Sequence, residues 1–202
     1  MSELATSEPI ADDPVVPEVL EREVLYAGRI QSFVKERFRY NDSEITREFF
    51  EHPGAVAVVA IDEDDRVLTI KQYRHPVRSR DWEIPAGLLD VADEPLLEAA
   101  KRELAEEADL QAEEWEILSD MMTSPGGSNE YARIYLARGL SATNEVFERE
   151  EEEADIVVRW IPLDELVDAI AAGTIRNSLL QVGVLAAFAA RARGLGTLRR
   201  EQ

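Results

Sequence analysis

Two apolar rhythms run along the chain. A period near two fills its front and middle, and a period near 3.6 appears at 96–108 and again from 163 onward. Three β-like runs come first: REVLYAGR (22–29), SFVKERFRY (32–40) and EITREFF (44–50). The turn Asn41-Asp42-Ser43 splits the last two. AVAVVAID (55–62) is apolar at nearly every position, the mark of a strand buried on both faces. A turn over 62–66 then leads into VLTIKQYR (67–74), which predicts a hairpin of these two strands. Residues 75–95, with Pro76, Pro85, Gly87 and Pro95, read as irregular. LLEAAKRELAEEA (96–108) has helical propensity and period. WEILSDMM and ARIYLAR read as strands flanking the turn-rich SPGGSNE, and IVVRWIP (156–162) as another. LDELVDAIAAG is a helix ending at Gly173, and NSLLQVGVLAAFAARAR is a final helix capped by Asn177 or Ser178.

Strands in front and helices behind place the chain in the α/β or α+β class. Its 202 residues suffice for one domain with a small appendage. Residues 1–20, acidic and proline-bearing, read as a flexible tail. Residues 21–50 form an N-terminal β region, 51–195 the main domain and 196–202 a flexible C-terminal tail.

Hydrophobic residues make up 45% of the chain, enough for a core. Acidic residues number 42 against 22 basic ones, a net charge of -20. That balance argues against nucleic acid and against anionic membrane surfaces as partners. No apolar stretch is long enough to span a bilayer, and the N-terminus lacks the layout of a secretory signal, so the expected location is cytoplasmic. The absence of cysteine excludes disulfides, thiolate metal sites and cysteine nucleophiles. With two histidines, any metal would be a hard cation held by carboxylates.

The helix 96–108 concentrates such carboxylates. At 100° per residue, Leu97, Ala100, Leu104 and Ala108 share one stripe, and Glu103, Glu106 and Glu107 share the neighbouring arc. Glu103 and Glu107 are one turn apart, a spacing that repels. Glu98, Arg102 and Glu106 form an i,i+4 ladder that engages Arg102. This leaves Glu103 and Glu107 in need of a cation, which a divalent metal would supply. Taken alone, the helix reads more readily as a solvated acidic face. The arginine-rich RHPVRSR (74–80) upstream changes the weighing, because metal and arginines together suit a phosphorylated substrate.

The segment GLLDVADEPLLEAAKRELAEEADL (87–110) resembles the Nudix box at Gly87, Glu94, Arg102, Glu103, Leu104, Glu106, Glu107 and Leu110. Six residues instead of the family's five separate Gly87 from Glu94, a cheap loop insertion. The second glycine position holds Asp109, which accepts a left-handed C-cap at modest cost but places an acid at the negative end of the helix dipole. QYRHPVRSRDWEIPAG before the box, Pro125 sixteen residues after Asp109 and the acidic EREEEEADI (148–156) resemble the ADP-ribose pyrophosphatase branch.

The resemblance implies a Nudix-like α/β/α sandwich with a mixed sheet, preceded by an N-terminal antiparallel sheet. It implies Mg²⁺ or Mn²⁺ on Glu103, Glu106, Glu107 and the Ala86 carbonyl, with Arg102 in the catalytic set. It implies hydrolysis of ADP-ribose to AMP and ribose 5-phosphate. Glu152, then Glu151 and Glu153, are the candidates for handling the attacking water. Substrate contacts fall to Arg47, Arg74, Arg78, Arg80, Trp82, Glu83, Pro125, Gly126 and Gly127. Trp82 also reads as core, Glu83 as an arginine's partner, and Tyr26 and Phe33 as either core or adenine-stacking residues. Residues 22–50 are expected to build a homodimer. Three other readings stand beside this one: another nucleoside diphosphate sugar or dinucleotide as substrate, a non-hydrolytic ADP-ribose sensor, and an acidic structural protein.

Overall fold

The computed structural model describes residues 10–143, 147, 155–194 and 198–199. Strands β1 (Glu18–Ala27), β2 (Ser32–Tyr40) and β3 (Ser43–Glu51) form an antiparallel meander. β1 begins inside the segment expected to be tail, because Glu18 pairs with Arg39 in register and by a 2.7 Å ion pair. Val34 is the one buried hydrophobic of these three strands, and Val19, Val24, Tyr26, Tyr40 and Phe50 are exposed. Phe33 packs on Phe50 with ring centroids 5.0 Å apart, whereas Tyr26 stands out in solvent.

The main domain holds two further sheets. One has the order β10-β5-β6, from β5 (Arg66–Arg74), β6 (Ser79–Glu83) and β10 (Val157–Pro162). The other has the order β7-β4-β9-β8, from β4 (Ala55–Ala60), β7 (Ala86–Leu88), β8 (Leu110–Met122) and β9 (Tyr131–Ala142). The β4–β9 pairing is parallel and the others are antiparallel, so the sheet is mixed.

β4 and β5 were expected to pair, and they do not. The turn is there, since the Asp62 carboxylate accepts the Asp64 and Arg66 N–H groups. Beyond one bridge between Ile61 and Val67 the strands part into different sheets. Both faces of β4 are fully buried, and a strand of that kind gains more from the interior place between β7 and β9. The stretch 75–95 is also more regular than expected, for it carries β6 and β7. Their shortness and the flanking prolines mask the pattern.

Helix α1 (Leu96–Ala108) covers one side, over a core of Val56, Val58, Leu68, Ala100, Leu104 and Tyr135. Helices α2 (Leu163–Ala171) and α3 (Ser178–Arg193) cover the other, over Ala57, Val59, Ile134, Leu136, Leu166 and Val184. The alternation along β4 and β9 assigns their side chains to the two cores in turn. Asn177 is the α3 cap, its side chain accepting the Leu180 N–H at 3.0 Å. At the C-terminal end Leu198 packs against the α2/α3-side core and Arg199 bridges to Ile117, where a loose tail was expected. Among the described residues no helix is long and apolar enough to cross a membrane.

Candidate active site

β7 and α1 bring the acidic residues together. Glu107, with 4% of its surface exposed, accepts the Ala86 N–H at 2.8 Å. Glu103 lies directly over Gly87, where an added Cβ would stand 1.8 Å from its Cδ. Arg102 reaches back to the loop and holds Glu94 with two hydrogen bonds, at 3.1 and 2.9 Å. The same guanidinium donates to Glu103 at 2.5 Å and to Glu106 at 3.2 Å. The expected Glu98–Arg102–Glu106 ladder is therefore half right. Glu98 pairs with Lys101 instead, at 2.7 Å, and Glu94 from the loop takes its place on Arg102. The hydrogen bonds from Arg102 lower the Glu94 pKa, and Glu94 and Glu103 raise that of Arg102. Asp109 takes the left-handed cap, with φ 55° and ψ 34°.

This donor set fits a hard divalent cation: three carboxylates on one helix face, a backbone segment within reach and no sulfur or imidazole. The empty side of Gly87 is what lets a carboxylate approach that segment. Among the described residues no three acidic or histidine side chains stand at metal-ligand spacing; Glu103 and Glu106 are bonded to Arg102, and Glu107 to the Ala86 N–H.

Of the arginine cluster, Arg74 grips the buried Glu83 with two bonds at 2.9 and 2.7 Å, and Gln72 adds a third. Glu83 stands opposite Ile70, so it shares a sheet face with Leu68, which packs beneath α1. The Arg74–Glu83 pair thus lies on the carboxylate side. Trp82 and Arg80 alternate to the other face. Trp82 packs on the core beneath α2 and α3, with Lys71 Nζ 5.2 Å from its ring centroid. Arg80 binds the side chain and the carbonyl of Asp155. Arg78 is exposed, and its side chain has no hydrogen bond or ion pair among the described residues. Arg47 is exposed on β3 and donates to the Thr46 carbonyl. Glu151, Glu152 and Glu153 lie outside the described residues.

The loop carrying Pro125, Gly126 and Gly127 docks on the end of β3, through Phe50 N–H to the Gly127 carbonyl at 2.9 Å. Neither glycine has positive φ, and a Cβ on either would meet nothing within 4 Å. The fold does not require glycine there. A cleft of about 500 Å³ is lined by Arg29, Ile30, Pro53, Leu88, Leu89 and Asp90.

One charged cluster has no counterpart in the sequence pattern. Asp120 accepts hydrogen bonds from Tyr131 at 2.6 Å and Arg133 at 2.7 Å, and pairs with Arg199 at 3.0 Å. Burial alone would raise its pKa. The three partners outweigh that and hold it at about 2. Register puts Gly87, Val56, Arg133 and Asp120 in one row across the sheet.

The NUDIX domain family matches residues 51–181. The chain belongs to the Nudix family. An ADP-ribose pyrophosphatase of Mycobacterium tuberculosis is 44% identical over 173 residues, covering 85% of this chain and 83% of that protein. A methanol dehydrogenase activator of Bacillus methanolicus is 32% identical over 166 residues, covering 82% and 89%. A solved structure of an ADP compounds hydrolase superposes with a TM-score of 0.73 at 20% identity, over 91% of this Nudix chain and 99% of its own. That last likeness speaks to the fold, and it bears out the α/β sandwich expected from the box.

Proposed function

We propose that this Nudix hydrolase adds water across the diphosphate of ADP-ribose, releasing AMP and ribose 5-phosphate. The similarity to the mycobacterial ADP-ribose pyrophosphatase carries the reading, since it covers 85% of this chain and 83% of that protein. Mg²⁺ or Mn²⁺ would be held by Glu103, Glu106, Glu107 and the Ala86 carbonyl. When bound, the cation supplies charge neutralisation and a lowered pKa for the attacking water.

The chain's own residues do the rest. Arg102 keeps Glu94, Glu103 and Glu106 in register. Arg78 and Arg47 offer exposed guanidinium groups to the diphosphate, and Arg74 fixes Glu83 for orienting the substrate. Arg80, bound to Asp155, steadies the root of the acidic segment. A carboxylate among Glu151, Glu152 and Glu153 takes or orients the proton of the water. Beside Pro125, Gly126 and Gly127 leave a surface bare of side chains, open to close approach by the substrate. For Trp82 the packing role beneath α2 and α3 has the better support. The exposed apolar positions of β1–β3 suit a homodimer, and a nucleotide substrate suits a cytoplasmic setting.

A second reading is that another nucleoside diphosphate compound is the preferred substrate. Product analysis over a substrate panel, with Mg²⁺ and with a chelator, tests both. AMP and ribose 5-phosphate formed from ADP-ribose only with metal are expected. Faster turnover of another diphosphate would move the substrate, and absence of metal-dependent turnover on the whole panel would overturn hydrolysis.

A further inference from the structure

β8 is the last strand in the order β7-β4-β9-β8, so among the described residues only one of its edges is paired by a strand. An open edge offers bare N–H and C=O groups to any extended chain. This edge is met by the C-terminal end of the protein. The Ile117 N–H donates to the Arg199 carbonyl at 2.8 Å, in an antiparallel bridge. The Arg199 guanidinium pairs with Asp120 at 3.0 Å, farther along the same strand. Leu198, the neighbour in sequence, packs on the core beneath α2 and α3. Backbone, charge and apolar surface are thus all engaged within two residues.

The charges of the two sides are complementary. β8 carries Glu113, Glu114, Glu116 and Asp120 and no basic residue. The segment 191–200, RARGLGTLRR, holds four arginines and no acid, in a chain of net charge -20. Like charges oppose the pairing of this edge with a second β8, and opposite charges draw a basic segment to it. Asp120 is already bonded to Tyr131 and Arg133, so its carboxylate is fixed in place for the incoming arginine. The register of β8 also shifts between Ile117 and Ser119. Such a bulge bends and twists the strand, which disfavours a long straight partner and admits a short one.

We propose that the outer edge of β8 around Ile117 and Asp120 is a docking surface for a short extended segment in which an apolar residue precedes an arginine, and that its occupant is residues 198–199 of the same chain. α3 ends at Arg193, only a few positions before Leu198. A tether that short holds the arm at an effective concentration on the order of millimolar, so modest contacts suffice to seat it. The seated arm closes an edge that would otherwise accept foreign extended chains. The assignment stands apart from the hydrolysis proposed above, because none of its residues belongs to the metal or substrate set.

Amide hydrogen exchange on the full chain reads the Ile117 N–H directly. Leu198→Asp combined with Arg199→Glu removes the apolar contact and reverses the charge, whereas Arg199→Lys keeps the charge. In the double variant Ile117 exchanges at least about tenfold faster, while the amides of β8 bonded to β9 keep their rates. Arg199→Lys stays within about threefold of wild type. Arg199→Glu alone gives the same result at smaller amplitude, and with 60% of that side chain exposed, folding is not at stake. A peptide with the sequence of residues 194–202, GLGTLRREQ, added at millimolar concentration, restores protection of Ile117 in the double variant. The same peptide carrying Arg199→Glu does not. Unchanged Ile117 exchange in both the double variant and Arg199→Glu overturns the docking. So does a peptide that fails to restore protection, or one that restores it equally well with the charge reversed. Ile117 protection that falls when the wild type is diluted would make the occupant the arm of a second copy, and overturns the assignment to the same chain.

Discussion

Gly87 and Glu103 claim the same space. A methyl group on Gly87 would lie 1.8 Å from Cδ and 1.9 Å from Oε1 of Glu103, so the carboxylate must leave if the methyl arrives. Gly87→Ala should therefore lower kcat by roughly a hundredfold, the order expected when a reacting group is displaced by about 1 Å. Thermal unfolding should shift by only a few degrees. Steady-state kinetics beside a melting curve checks this, and full activity in the variant would separate Glu103 from catalysis.

Charge, more than shape, is what the proposed metal site draws from Glu103 and Glu107. Glutamine keeps the oxygen that accepts the Ala86 N–H from position 107 and removes the charge. Glu103→Gln and Glu107→Gln should each cost at least about a hundredfold in turnover. Both should fold, since the i,i+4 repulsion between them disappears. Isothermal titration with Mn²⁺ should show weaker binding in each, and near-wild-type turnover would dismiss the assignment.

Asp120 makes the fold sensitive to acid. Its pKa of about 2 lies below the ordinary carboxylate value, so the stability it contributes is complete above about pH 4. That contribution fades as pH falls from about 4 toward 2, and is on the order of 2 kcal/mol with a quarter of the side chain exposed. Urea denaturation of wild type and Asp120→Asn should show a gap at pH 6 that narrows markedly by pH 3. A gap independent of pH would mean that Asp120 acts through packing alone.

Glu152 is the first choice for the group that handles the attacking water. Glu152→Gln should lower kcat by 10²–10⁴-fold, the usual range for a general base, with KM and Mn²⁺ affinity nearly unchanged. Glu151→Gln and Glu153→Gln are the comparisons. If all three leave kcat within about threefold, the water is activated from elsewhere.

Assembly offers a separate check. Exposed Val19, Val24, Tyr26 and Phe50 should be covered in a homodimer. Sedimentation at micromolar concentration should give about twice the 22.7 kDa chain mass. A fully active monomer would remove the β1–β3 sheet from the interface.

Much of the fold is legible in the amino-acid sequence. α1 runs over the very residues its period marked, and the stripe of Leu97, Ala100, Leu104 and Ala108 faces the core. Glu103, Glu106, Glu107 and Gly87 could be read because helix spacing and a box motif are local in sequence. The β4–β5 hairpin misled because a turn reports only on its own residues, whereas the partner of a buried strand is settled by distant chain. Glu94 displaced Glu98 on Arg102 for a similar reason: the loop folds back onto the helix, which i,i+4 counting ignores. Asp120 with Arg133 and Asn129 with His52 come from separate strands and loops. No periodicity links them, so only the fold reveals them.

The bridge between Phe50 and Ser128 also has a bearing on the order of folding. β1, β2 and β3 pair with their immediate neighbours in sequence, so their meander closes short loops and can assemble early. The bond between His52 and Asn129 joins positions 77 residues apart. Closing so long a loop costs more entropy than closing the hairpins, so the bond gains most once β4, α1 and β8 are in place. On that account the meander forms first and is moored late. A chain arrested before that moment would own helix α1 and its outer sheet, yet lack the tie between that sheet and the loop after β8.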